Sequence, residues 1–118
     1  MTQVTPKPQG VWAWIWQRIT AILLFVFLGT HLFVLHYVPE NLSINFLGVA
    51  ARFKSVLYVI VDSGLLATAL YHALNGIRNV VFDFVADDGK RRAFNLVFLL
   101  VGIVYLIWGA YALTFFVK

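Results

Sequence analysis

With 118 residues, 62% of them hydrophobic and only 12% charged, the chain departs from soluble domains, which run at roughly 45–50% apolar and 25% charged. It reads as an integral membrane protein, and a formal charge of +4 in such a chain bears on topology rather than on nucleic-acid binding. The absence of cysteine excludes thiolate-held iron–sulfur clusters and Cys-linked haem within this chain. So short a chain has no room for a transporter's cavity, and partners are expected.

Residues 1–11 form a polar tail in which Pro6 and Pro8 favour extended backbone. No secretory signal is legible there, because no apolar core comes early enough and no small-residue cleavage site follows. Trp12, Trp14 and Trp16 mark a membrane–water boundary, where indole rings are favoured. A first spanning helix is expected over roughly 14–37, long enough at 1.5 Å per residue to cross a hydrocarbon core of about 30 Å. It carries Arg18 near its start and His31 deep inside, with Thr20, Leu24, Phe27 and His31 on one face.

Pro39 to Ser43 is a turn, and Ile44 to Arg52 has the length of a short interfacial helix. A second spanning helix is expected over roughly 54–80, a loop over Asp83 to Arg92 with Asp87-Asp88-Gly89 as its turn signal, and a third span over roughly 93–117. The third span has no ionisable group except Tyr. It reads as a packing wall, with Gly102, Gly109 and Ala110 as close-contact points. Three spans put the termini on opposite sides. Lys7, Arg18, Arg78, Lys90, Arg91 and Arg92 fall on one side and Arg52, Lys54 and Lys118 on the other. The excess of positive charge places the N-terminus in the cytoplasm.

The second span ends in the stretch that carries the chemistry. His72, Asn79 and Asp83 fall on one helical face, and Gly76 lies one turn beyond His72. A flat ligand bound at His72 needs a small neighbour such as Gly76, and haem iron takes imidazole nitrogen. The alternative is an imidazole that hydrogen-bonds a neighbouring helix. A histidine in hydrocarbon is a functional hypothesis by default. Measured from Arg18 and Arg78 as markers of the cytoplasmic interface, His31 lies roughly 20 Å deep and His72 roughly 9 Å. Two residues at depths differing by roughly 10 Å do not share one haem, so two ligands imply two haems, each completed by another chain. His36 sits near the outer boundary as an interfacial histidine. Gly64, level with His31, makes room either for a haem or for helix packing. Arg18 reaches a propionate, a quinone carbonyl or the headgroups, and Arg78 is placed for a propionate. Asp62 is costly facing lipid, so it is expected to pair with a partner subunit or to face water.

The run His72-Ala73-Leu74-Asn75-Gly76-Ile77-Arg78, followed by Asp83, resembles the H-x-x-x-G-[IL]-R … D signature of the membrane anchor subunits of succinate dehydrogenase and fumarate reductase. Trp16-Gln17-Arg18-Ile19-Thr20-Ala21 resembles that family's [MH]-R-[IL]-S-G entry to the first helix. Gly29-Thr30-His31-Leu32-Phe33 resembles the G-x-H-L-F segment of its two-haem members, as do Asp62 and Leu74-Asn75-Gly76. Three positions depart from the pattern: Thr20-Ala21 replaces Ser-Gly, Asn79 stands where some relatives have a second His, and Phe84 where some have Tyr.

The resemblance implies an all-α membrane protein: one anchor domain of three transmembrane helices, part of a bundle completed by a second anchor subunit. It implies a succinate:quinone oxidoreductase whose flavoprotein and iron–sulfur subunits are separate chains, in a prokaryotic cell membrane. His72 and His31 are then axial ligands of b-type haem iron, two haems each shared with the partner anchor. Gly76 makes room at His72, and Arg18 and Arg78 serve propionates or quinone. Trp16, Arg18 and Thr20 help form the quinone site, and two-haem anchors are associated with menaquinone. The rival readings are a b-haem subunit of another membrane dehydrogenase and a haem-free structural anchor.

Overall fold

The computed structural model describes residues 10–37 and 45–117. They form α1 (Val11–Tyr37), α2 (Phe46–Arg52), α3 (Val56–Phe84) and α4 (Asp88–Val117). The helices α1, α3 and α4 are each long and apolar enough to cross a membrane. Residues 1–9 of the polar tail and the turn from Pro39 to Ser43 lie outside the described residues.

The chain makes few polar groups for lipid to face. Thr20, Thr30 and Thr68 donate their hydroxyls to the carbonyls of Trp16, Val26 and Gly64, one turn back in their own helices. Such back-bonding satisfies a hydroxyl where no water is available. Few side chains are buried: among the described residues Val34, Val61 and Phe82 are the buried apolar ones. Most of the apolar surface faces outward, as lipid or a partner helix requires.

The central helix is α3, which packs against α1 on one side and α4 on the other, while α2 touches α4. The α1–α3 seam is antiparallel. Asn75 meets Ala13 and Gln17, His72 meets Gln17 and Thr20, and Asp62 meets His31. Between these layers the Phe27 ring occupies the space where a Cβ on Gly64 would stand, with ring atoms 2.6–3.1 Å from that point. Gly64 therefore serves helix packing, the second of the two uses its position allowed. On the other seam, Gly102 and Gly109 accept the side chains of Leu74 and Leu66. These glycines let two apolar helices approach closely.

The helix ends differ from the sequence expectation. The first span begins at Val11 rather than near residue 14, and the second runs from Val56 to Phe84 rather than over 54–80. The connection to α4 is only Val85 to Asp87, because Asp87 caps the new helix: its Oδ1 accepts from Lys90 N at 2.7 Å and its carbonyl from Arg91 N at 3.0 Å. Arg91 also closes the helix it follows, donating to Phe82 O at 2.9 Å and Val85 O at 2.6 Å. One charged run thus caps both helices, so residues read as loop become their last and first turns.

The short helix α2 begins with Asn45 as its cap, Oδ1 accepting from Gly48 N at 2.8 Å. Phe46 and Phe53 at its two ends meet Phe116 with ring centroids 5.5 and 5.2 Å apart, fastening α2 to the end of α4.

Candidate functional site

Two polar layers cross the α1–α3 seam, each built on one histidine. The first holds Gln17 and Thr20 of α1 with His72 and Asn75 of α3. Thr20 Oγ1 already donates to Trp16 O at 2.7 Å, so it accepts from His72 Nδ1–H, 3.1 Å away. Gln17 Oε1 accepts from Asn75 Nδ2 at 2.6 Å, which turns the Gln17 amide nitrogen toward His72, where it donates to Nε2 at 3.3 Å and to the backbone carbonyl at 3.3 Å. Asn75 donates again to Ala13 O at 3.2 Å. The network assigns His72 as the neutral Nδ1–H tautomer with its Nε2 lone pair facing the Gln17 amide. Thr20 and Asn75 are buried, so both depend on these partners.

The second layer is simpler. His31 Nδ1 lies 2.6 Å from Asp62 Oδ1, with side chains 29% and 25% exposed. The imidazole donates and the carboxylate accepts. With Nδ1 spent on Asp62, Nε2 is the remaining ring nitrogen, and it makes no hydrogen bond among the described residues. Asp62 thus pairs within its own chain, where the sequence suggested a partner subunit or water. The spacing was not visible because it depends on the antiparallel register of two helices.

That register also revises the separation of the two levels. From Asp62 to His72 along α3 is roughly 15 Å, against the roughly 10 Å inferred from the arginine markers. The markers mislead because Arg78 lies beyond Asn75, which already pairs with Ala13 and Gln17. Arg78 is therefore nearer the helix end than Arg18 and is not level with it.

The arginines point elsewhere. Arg18 is exposed and folds back on its own helix, its guanidinium carbon 3.3 Å from the Trp14 ring centroid. Arg78 is turned to the α4 side of α3: Nε donates to Asn95 Oδ1 at 2.5 Å and the guanidinium lies over the Phe82 ring. Six residues beyond His72, it lies about 120° from it around the helix, away from α1. Gly76 lies beside Gln17, whose Nε2 is 3.4 Å from where a Cβ would stand. His36 bonds to its own helix, Nδ1 2.9 Å from Leu32 O, and is exposed.

Trp16 and Thr20 do come together. With Ala67, Thr68 and Tyr71 they line a shallow hollow of about 330 Å³ on the α1–α3 pair. Thr20 and Thr68 spend their hydroxyl protons on their own helices, which leaves the Tyr71 phenol and the Trp16 indole N–H as donors without a partner among the described residues. Tyr71 was not singled out in the sequence, where it reads as one more aromatic in an apolar run. Its spacing of four residues from Ala67 and three from Thr68 was the available signal.

Comparison with known proteins converges on one family. Residues 2–110 match the succinate dehydrogenase/fumarate reductase transmembrane subunit family. The chain is 31% identical over 101 residues to the succinate dehydrogenase 2 membrane subunit SdhC of Mycobacterium tuberculosis, covering 83% of this chain and 70% of that one. It is 28% identical over 96 residues to the succinate dehydrogenase hydrophobic membrane anchor subunit of Halobacterium salinarum, covering 80% and 74%. The corresponding subunit of Archaeoglobus fulgidus is 26% identical over 101 residues, covering 86% of each chain. The chain belongs to the succinate dehydrogenase/fumarate reductase transmembrane subunit family.

Proposed function

We propose that this membrane anchor subunit of succinate dehydrogenase holds b-type haem through His31 and His72, at two levels, and helps to wall a quinone site. The observation that carries the reading is the His31–Asp62 pair. An imidazole whose Nδ1–H is held by a carboxylate at 2.6 Å has its ring oriented and its Nε2 available, and metal-bound histidines are commonly held by a carboxylate in this way. His72 has the same donor set in outline. Thr20 holds Nδ1–H, and Nε2 faces Gln17, a flexible side chain that has to swing aside for an iron to bind.

A b-type haem supplies a one-electron carrier when bound. The residues of this chain supply the rest. His31 and His72 each offer one nitrogen, Asp62 and Thr20 orient the rings, and the roughly 15 Å between the layers keeps the two sites apart. A second anchor subunit would supply the ligands that complete each site. Flavin chemistry and the iron–sulfur relay belong to separate subunits. In the hollow beside Trp16 and Thr20, the Tyr71 phenol donates to a quinone carbonyl; Arg18, exposed at the same end of α1, serves the headgroups or a quinone approaching from the interface. Menaquinone is the quinone to which the resemblance to two-haem anchors points. The N-terminus is cytoplasmic, by the distribution of Lys and Arg.

A haem-free anchor has one observation in its favour: both ring nitrogens of His72 are already hydrogen-bonded within the chain. A reduced-minus-oxidised spectrum of the purified complex separates the readings, with its subunits identified by mass spectrometry. Two b-haem components of different midpoint potential are expected, together with a flavoprotein, an iron–sulfur protein and a second anchor. A complex without b-haem, or the chain isolated with unrelated partners, overturns the proposal.

A further inference from the structure

The seam between α3 and α4 does not close along its whole length. It leaves a groove of about 290 Å³, where Ala67, Leu70 and Leu74 of α3 face Leu99, Gly102 and Leu106 of α4. The groove runs from Ala67 to Arg78 on α3, a rise of roughly 16 Å. That is about half of a 30 Å hydrocarbon core, the depth of one leaflet. Its lining is mostly apolar, with Tyr71 and Asn75 along it and Arg78 and Asn95 at one end.

At that end two cations converge. The Arg78 guanidinium lies 4.5 Å from the centroid of the Phe82 ring, and the Arg91 guanidinium lies 5.3 Å from the same centroid. Phe82 is buried and serves as their common platform. Arg91 is committed to the carbonyls of Phe82 and Val85. Arg78 has only neutral amide partners among the described residues, Asn95 Oδ1 at 2.5 Å and Asn79 Oδ1 at 3.5 Å. Two like charges brought to one ring repel, and an anion beside them offsets that repulsion.

The charge at the mouth and the length of the groove select the occupant. A mostly apolar groove roughly 16 Å long suits an acyl chain reaching about halfway across the hydrocarbon core, and Arg78 at its end suits the phosphate of an anionic headgroup. We propose that the α3–α4 groove binds one anionic phospholipid, its acyl chain lying along the groove and its phosphate held by Arg78 at the mouth, beside Arg91. The groove lies on the α4 side of α3, and Tyr71 and Asn75, which line it, also border the α1–α3 seam.

The test uses the intact complex, purified in mild detergent from cells and reconstituted in phosphatidylcholine vesicles containing phosphatidylglycerol. Lipid retained after exchange into fresh detergent is extracted and quantified. The wild-type complex is expected to retain phosphatidylglycerol over phosphatidylcholine. Arg78→Gln is expected to lower that retention about fivefold, the factor one basic side chain contributes at an anionic membrane surface. Leu99→Trp, at an exposed groove position, fills the groove while leaving both arginines in place, and is expected to lower retention as well. Arg92→Gln, in the first turn of α4 but outside the groove lining, is expected to change nothing. Subunit content confirms that each variant assembles. Retention equal for both lipids, retention unchanged in Arg78→Gln and Leu99→Trp, loss equal in Arg92→Gln, or recovery of quinone in place of phospholipid each overturns the site.

Discussion

His31 of α1 and Asp62 of α3 face each other across the helix seam with Nδ1 and Oδ1 2.6 Å apart. Each residue alone is expensive in hydrocarbon, and together they satisfy one another's strongest hydrogen-bonding group. The pair ties an aromatic nitrogen base to a fixed orientation in the middle of the span. Nothing else along the seam joins an ionisable pair among the described residues.

The first prediction follows from that pair. Asp62→Asn is expected to weaken haem retention at the His31 level by about 10–100-fold, as loss of an outer-shell carboxylate does at metal-bound histidines. The component tied to His72 stays. Its midpoint potential and the pyridine haemochrome content of the purified complex check both statements, and His31→Ala is expected to remove the same component outright.

At the other level, His72→Ala is expected to remove one haem component and leave the one tied to His31. Gln17→Ala has the opposite character. It takes away the amide that faces Nε2 and leaves Asn75 without one acceptor, at a cost of about 1–3 kcal/mol to the assembled complex. Haem content is expected to be retained in Gln17→Ala. A thermal melt followed by haem absorbance reads stability and content together. Loss of haem in Gln17→Ala equal to that in His72→Ala contradicts the assignment of Gln17 as a displaceable neighbour.

Tyr71→Phe tests the hollow beside Trp16. Removing one neutral donor is expected to raise the quinone KM by a factor of up to about ten, the range of a single hydrogen bond. Succinate oxidation with an artificial electron acceptor and haem content both remain unchanged. A quinone KM identical to wild type removes Tyr71 from the site.

The glycines of α1 and α3 make contrasting predictions for packing. A Cβ at Gly64 meets the Phe27 ring at 2.6 Å, whereas a Cβ at Gly29 meets nothing within 4 Å. Gly64→Ala is expected to destabilise the complex by about 1–3 kcal/mol, the usual range for overpacking. Gly29→Ala is expected to be neutral in this chain, so any loss there locates a partner helix against that face. Denaturation of the detergent-solubilised complex compares the two directly.

The apolar runs determined the fold before any coordinate was known. Three stretches long enough to cross a bilayer have one way to satisfy their backbone there, as helices. The histidines, Asp62 and the H-x-x-x-G-I-R run were equally legible, because an ionisable or small residue stands out against Leu, Val and Phe. What the sequence could not carry was register. A helix face is readable from spacing along one chain, but which residue of α1 meets which residue of α3 depends on how two antiparallel helices slide and rotate against each other. That sliding was settled by the Phe27 ring in the gap at Gly64 and by the amide contacts of Gln17 and Asn75. It brought Asp62 to His31, set Gln17 against the Nε2 of His72, and turned Arg78 to the α4 side. Residue identity fixed which groups are costly in a membrane; helix packing chose the partners that make them tolerable.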